Sequence, residues 1–325
     1  MALLVAFAFL VHLGVGSYQW YAPLTVLREL ANGPSEGAAN VIVWQIRLPR
    51  ATACLFVGGI LGIVGSAFQA QLRNPLADPY IVGVSSGAAV GGVVAVITGL
   101  SGMFGGLGTT LLGFLSGMGS LAVVYLLARR RGVVNVTSLL LAGVVIGSLL
   151  SAILSLLLLA SGRDQTQVLA WLLGNTSRVP WNANAVLGVS LLLGATAMVR
   201  ESRRLNAFAL GDDAARRLGV DTLRLTRLVL LVGTAMTAAA VGAVGIIGFL
   251  GLVAPHISRR LLGVDWRRSL LGSMLVGMGL LLLADLLSQR GVSALTGVVG
   301  MQVPVGIVTA ILGAPSLLVL MRKKG

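Results

Sequence analysis

Ten apolar stretches, most of them near the thickness of a bilayer's hydrocarbon core, divide this sequence from end to end. Nine lie at roughly residues 2–18, 51–70, 81–99, 104–127, 138–160, 185–199, 228–245, 270–288 and 303–321. A tenth, at about 246–262, is interrupted by Pro255, His256 and Arg259. A helix needs roughly 20 apolar residues to cross a membrane. Only 10% of the residues are charged, against about 25% in a soluble domain. Strand alternation is absent, which argues against a barrel. The pattern predicts an all-α membrane protein of about ten transmembrane helices, forming a single transmembrane domain over residues 1–325.

The net charge of +14 invites a nucleic-acid reading, but its distribution removes it. With the N-terminus in the cytoplasm and ten spans, eighteen of the 24 Lys and Arg residues fall inside. Arg28, Arg47, Arg50, Arg163, Arg178 and Arg290 fall outside. This is the positive-inside bias, and it predicts that both termini are cytoplasmic. Cys54 is the sole cysteine, so an intrachain disulfide is excluded. The first apolar run has no basic residue ahead of it and reads as a span rather than a signal peptide.

Glycines recur at four-residue spacing: Gly58/Gly62, Gly83/Gly87/Gly91, Gly113/Gly117 and Gly143/Gly147. Small residues so placed let helix backbones approach closely, so these read as packing seams. The segments Val57–Gly65 and Val241–Gly248 are faintly alike and five spans apart, which suggests an inverted five-plus-five repeat. The longest polar segment, 200–227, holds two short helical pieces. Asp212 and Asp213 follow Gly211 at a helix start, and Arg216 and Arg217 precede a C-capping Gly219. Leu210, Ala214, Ala215 and Leu218 offer a contact face, more than a solvated connector requires.

Chemistry is scarce. Lys323 and Lys324 are the only lysines, so the chain has no phosphate-binding loop and no ATP site of that kind. His12 and His256 are far apart in sequence, and no zinc or catalytic constellation is visible. Asp285 is almost the only acid inside an apolar window. Such a group marks an ion-coupling site or, more commonly, a paired residue at a span end. Arg47 and Arg50 lie on the outer side, against the charge bias. Their forked donors suit the carboxylates of an external partner or the lipid headgroups. Asn74-Pro75 and Asp78-Pro79 mark a turn after the second span.

Nine motifs in order across the chain resemble the permease subunit of the ABC importers for iron chelates, haem and cobalamin. They are Val43-Trp-Gln-Ile-Arg-Leu-Pro-Arg50, Arg73-Asn-Pro-Leu-Ala-Asp-Pro-Tyr80, Gly83-Val-Ser-Ser-Gly87, Leu139-Leu-Leu-Ala-Gly-Val144 and Trp171-Leu-Leu-Gly174. They continue with Ala209-Leu-Gly-Asp-Asp-Ala-Ala-Arg-Arg-Leu-Gly219, Gly248-Phe-Leu-Gly-Leu-Val-Ala-Pro-His256, Leu283-Ala-Asp285 and Pro304 to Pro315. The resemblance implies a ten-helix permease in a bacterial cytoplasmic (inner) membrane, paired with a second copy, most simply as a homodimer, around one central pathway. It implies no enzyme activity and no cofactor in this chain, because ATP and Mg belong to two ATP-binding partner subunits.

By the same resemblance those subunits dock on Ala207, Phe208, Ala209, Leu210, Gly211, Asp212, Asp213, Ala214, Ala215, Arg216, Leu218 and Gly219. A periplasmic or lipid-anchored substrate-binding protein docks on Arg47 and Arg50, with Arg290 as a further contact. Asn135, Val136 and Thr137 line the pathway and its gate. The expected cargo is a bulky metal chelate, ferric siderophore by breadth of the family, with haem and cobalamin as alternatives. The sequence departs from the family at Gln302, where a Glu is usual, at Ile246, where a Pro is common, and in a longer outer loop, Ser288 to Met301. A self-sufficient secondary transporter is the rival reading and would depend on Asp285.

Overall fold

The computed structural model describes residues 1–16, 19–80, 83–130, 133–134, 136–297, 300 and 302–322. Within that range the side chains of residues 130, 133, 134, 136, 292–296 and 319–322 are not described. Each of the ten apolar windows contains a helix. In chain order the helices are α1 (Ala2–Gly14), α2 (Pro23–Ala31), α3 (Ala38–Leu72), α4 (Val84–Ile97), α5 (Gly108–Ala128), α6 (Val136–Ala160) and α7 (Gln165–Leu172). They continue with α8 (Trp181–Arg200), α9 (Ser202–Ala209), α10 (Asp212–Arg217), α11 (Thr222–Val244), α12 (Leu250–Leu262), α13 (Trp266–Thr296) and α14 (Val305–Arg322). Extended pairing among the described residues is confined to Arg129–Arg130 against Val133–Val134.

Six helices, α3, α5, α6, α8, α11 and α13, are long and apolar enough to cross a membrane alone. Four others fill windows but are shorter: α1, α4 and α12 have 13, 14 and 13 residues, and α14 has 18. Thirteen residues of helix rise only about 20 Å, less than the roughly 30 Å of hydrocarbon. Two of these short helices are preceded by non-helical backbone that is at least partly buried. Residues 73–80 lead toward α4, and residues 245–248 lead into α12.

Both non-helical stretches lie against α3. Gly251 is held between Leu61 and Gln69, with Gln69 Nε2 donating to its carbonyl at 3.2 Å, and Pro79 packs on its Cα. Backbone there has no water to bond, so its partners must be protein groups. Tyr80 supplies them. Its hydroxyl donates to the Ile247 carbonyl at 2.9 Å and accepts from the Ile247 N–H at 3.2 Å. One side chain thus satisfies both backbone groups of a residue in the break before α12. The break itself requires left-handed backbone at Gly245 (φ 78°) and Phe249 (φ 67°).

The centre of the molecule is α3, 83% buried over its apolar window, with α13 packed along it. Their contact is backbone on backbone. A Cβ at Gly58 would strike the Gly277 carbonyl group, one at Gly62 would strike Ser273, and one at Gly277 would strike Gly58. The four-residue glycine spacing on α3 is therefore a packing seam against α13. Gly87 and Gly91 make the same kind of contact with α5, at Ser116 and Leu112. Of the two faintly similar glycine-rich segments, the first lies in mid-α3. The second straddles the end of α11, so they sit at different levels of their helices.

The segment expected as a long outer loop, 288–301, differs from expectation. α13 continues as helix through Thr296, because 288–296 contains no proline and its single glycine, Gly291, does not break the helix.

The Tyr80 contact carries a test. Tyr80→Phe keeps the ring and leaves Ile247 with two buried, unpartnered backbone groups. It is expected to lower folding stability by about 1–3 kcal/mol, measured by thermal unfolding in detergent.

Candidate functional site

Pro49 has no N–H, so the helical ladder cannot close on Gln45 by the usual i−4 bond. The turn before it, Ile42–Arg47, widens to a π-helix. Such insertions re-aim side chains. Here Arg47 and Arg50, three residues apart and on one face, both turn inward and are each only 7% exposed.

Arg50 meets Asp285. Its Nε donates to Oδ2 at 2.8 Å and its Nη2 to Oδ1 at 3.0 Å, a forked pair, while Nη1 donates to Gln302 Oε1 at 2.8 Å. Asp285 is fully buried on α13 and has three further donors. Thr176 Oγ1 reaches Oδ1 at 2.5 Å, Gln289 Nε2 reaches Oδ2 at 2.9 Å, and His12 Nε2 lies 2.7 Å from Oδ2. His12 Nδ1 has no hydrogen-bond partner among the described residues. The cluster ties five segments together: α1, α3, the connector before α8, α13 and the chain entering α14. Arg50 and Asp285 carry opposite charges, and Gln302 meets the arginine without adding a second carboxylate.

Arg47 is engaged nearby. Nη1 donates to the carbonyls of Leu13 (2.9 Å) and Gly14 (2.6 Å), Nη2 donates to that of Gln19 (2.6 Å), and the Tyr21 ring lies 4.6 Å away. The Leu13 and Gly14 carbonyls belong to the last turn of α1, whose C=O groups have no partner within the helix. Arg290 joins the same place from α13, its Nε donating to Gly16 O at 3.0 Å. The three arginines therefore converge at one end of the molecule. Arg47 and Arg50 are not the free, exposed forks that a docking surface or a headgroup contact was expected to present. Beside them lies a cavity of about 290 Å³ whose walls include His12, Gly16, Ile46 and Gln302.

His12, Cys54 and Asp285 bring ligand atoms within 4.8 Å of one another. They do not fit a metal ion. Both Asp285 oxygens already accept from five donors, and the Arg50 cation occupies the position a metal would need.

At the opposite, arginine-rich face, α9 and α10 form a projecting pair. Gly211 makes the turn at φ 112° and Gly219 ends α10 at φ 78°. Asp212 pairs with Arg216 at 2.8 Å, i to i+4 along α10. Phe208 and Ala215 are buried against the chain, and Leu210 and Leu218 are 71% and 64% exposed. Ala207 and Ala214 are half-buried, while Ala209 and Asp213 are exposed. The contact face expected from the sequence is thus halved: Ala215 anchors the element, and the two leucines face outward.

The projection is fastened to the two central helices. The Arg73 guanidinium, at the end of α3, lies 5.3 Å from the Phe208 ring centre. Asn206 accepts from the Trp266 N–H at the start of α13 and donates to Asp265, both at 3.0 Å. The Asp265 carboxyl is held below its usual range by the Arg268 backbone N–H and then by Asn206. The helices that carry Arg50 and Asp285 at one end therefore hold α9 at the other.

Of the residues expected at the pathway, Asn135 lies outside the described residues and so does the Val136 side chain. Thr137 is exposed in the first turn of α6. The sequence reading missed His12, Thr176, Gln289 and Tyr80 as partners. His12 was the only one with a signal, as an imidazole inside an apolar run.

Residues 3–323 match the FecCD transport family. The chain belongs to that family. It is 38% identical over 287 residues to the cobalamin import system permease protein BtuC of Halobacterium salinarum, covering 88% of this chain and 74% of the relative. It is 32% identical over 328 residues to the molybdate import system permease protein MolB of Haemophilus influenzae, covering 99% and 94%. Its fold matches a solved metal-chelate type ABC transporter in an inward-facing conformation, with a TM-score of 0.84 and 32% identity over 99% of this chain and 97% of that one. The chain is thus an ABC importer permease of multi-pass membrane type.

Removing the charge of Asp285 alone strands Arg50 in the interior. Asp285→Asn is expected to cost about 3–5 kcal/mol, seen as a lower unfolding midpoint in detergent.

Proposed function

We propose that this permease pairs with a second copy of itself to line one pathway for a bulky metal chelate across a bacterial cytoplasmic membrane. Cobalamin is the leading cargo, since a 38%-identical relative carries that name. Ferric siderophore is the alternative. Both termini are cytoplasmic in this reading, which puts the arginine-rich face inside. The observation that carries it is the α9–α10 projection: a short capped element with two outward leucines, anchored by Phe208 and Ala215. That is the shape of a socketed contact for an ATP-binding subunit, and two such subunits would serve the pair.

The mechanism follows from the fastening of that element. Movement of α9 on closure of the ATPases reaches α3 through Arg73–Phe208 and α13 through Asn206–Trp266. Both helices are stiffened by their glycine seam and end at the arginine centre. A substrate-binding protein docks on that outer end, where Arg47, Arg50 and Arg290 converge. Since all three guanidiniums are internally bonded, docking carboxylates would have to compete with backbone carbonyls and Asp285. The cargo meets no covalent chemistry here. The helix offered to the second copy is α6, only 11% buried within the single chain. An ion-coupled secondary transporter is disfavoured, because Asp285 is saturated by donors rather than poised in a cavity.

The test is uptake by proteoliposomes holding this chain with its ATPase, supplied with the binding protein loaded with labelled cobalamin or ferric siderophore. ATP-dependent uptake of cobalamin is expected, and Leu210→Asp with Leu218→Asp is expected to lower it at least about 10-fold, the usual loss when a buried apolar contact is replaced by charge. Uptake of ferric siderophore alone would reassign the cargo. Uptake driven by an ion gradient without ATP would refute the reading.

A further inference from the structure

A basic cleft and an apolar groove are lined by neighbouring residues at the arginine-rich face. The cleft, about 390 Å³, is lined by Ser202, Arg203, Asn206, Asp265, Arg267 and Arg268. The groove, about 490 Å³, runs between α8, α13 and α3 past Leu192, Ala195, Leu271, Met274 and Met278, and ends on Arg200. The two adjoin in sequence on both sides. Arg200 closes the groove at the end of α8, and Ser202 and Arg203 of the cleft follow it in sequence. On α13, Arg268 of the cleft and Leu271 of the groove are three residues apart, hence on one face.

The groove follows α8 from Gly188 to Arg200, a rise of about 18 Å, close to one leaflet of a roughly 30 Å hydrocarbon core. Its walls are apolar throughout that depth except for Thr196, whose hydroxyl is turned back onto the Leu192 carbonyl at 2.7 Å. Its mouth is cationic. Arg200, Arg203, Arg267 and Arg268 are all exposed, and none forms an ion pair with a carboxylate side chain among the described residues. Asp265 is the one acid in the cleft; Oδ1 accepts from the Arg268 N–H and Oδ2 from Asn206, and its charge offsets part of that of Arg268, which leaves the surplus on Arg200, Arg203 and Arg267.

We infer that this composite site binds one anionic phospholipid of the adjacent leaflet, with an acyl chain in the groove and its phosphate among Arg203, Arg267 and Arg268. A soluble anion would satisfy the cleft and leave the groove unexplained. A docked ATPase would cover the cleft but could not enter a groove at membrane depth. A lipid accounts for both parts at once, through charge complementarity at the mouth and apolar burial below it. The bound lipid would brace the junction of α8, α9 and α13, next to the Asn206–Trp266 contact that fastens the projection. The inference rests on the membrane-spanning fold and not on the identity of the cargo.

Native mass spectrometry of the full chain in detergent, titrated with phosphatidylglycerol or phosphatidylcholine of matched acyl chains, tests it. Two variants at exposed positions are compared: Arg203→Ala with Arg267→Ala and Arg268→Ala, and Thr196→Trp, which fills the groove. Phosphatidylglycerol is expected to be retained in preference to phosphatidylcholine. The triple variant should bind it on the order of 100-fold more weakly, from about one factor of five per arginine, and Thr196→Trp should weaken both lipids. Equal retention of phosphatidylglycerol by the wild type and the triple variant would overturn the inference. So would displacement by glycerol 3-phosphate at the same concentration as the intact lipid, which would reveal an anion site only. Loss of ATPase association in the triple variant with lipid retention unchanged would reassign the arginines to the subunit interface and overturn it as well.

Discussion

The Asp285 carboxylate is the point on which the packing of this permease turns. A charge inside a membrane protein persists only where its partners replace the water it has lost. Asp285 meets that condition through Arg50, Thr176, Gln289 and His12, drawn from four different segments. Gln302 completes the set by occupying the remaining donor of Arg50. Because the first, second, ninth and tenth apolar windows all supply a member or abut one, the cluster adds a specific polar tie at this end to the packing of those helices. An apolar core would pack there too, but it would not select these partners.

The same economy governs the backbone. In lipid every N–H and C=O needs a protein partner, and non-helical backbone precedes both α4 and α12. Each would be costly alone. Brought together, they allow the Tyr80 hydroxyl of one to bond both backbone groups of Ile247 in the other. The glycine seams complete the pattern. Association in lipid depends on close van der Waals contact rather than on expulsion of water, and α3 and α13 achieve it by removing side chains at Gly58, Gly62 and Gly277. The resulting stiff pair runs from the arginine centre to α9, which is the geometry a permease needs if an event on one side is to be felt on the other.

Much of this was legible in the residues. The ten apolar windows located ten helices because their lengths and compositions are set by the bilayer, independently of tertiary contacts. Gly211 and Gly219 bounded α10 correctly, since both positions need positive φ. The Arg50–Asp285 pair was not legible. Both residues stood out singly, but 235 positions separate them, and no local rule joins an arginine in one span to an acid seven spans later. Burial of Arg47 escaped for a related reason. Its partners are backbone carbonyls at the end of α1, and carbonyls have no signature in a sequence. The helix through 288–296 was read as loop because its length was judged by likeness to relatives rather than by its own composition.

The central claim is that Arg50 and Asp285 are each tolerated only because of the other. A double-mutant cycle on thermal unfolding in detergent tests it most directly, using Arg50→Met, Asp285→Leu and the two combined. The account predicts that each single variant is strongly destabilised, and that the double variant is more stable than either, with a coupling of about 3 kcal/mol. Additive losses, with the double variant the least stable of the set, would contradict it.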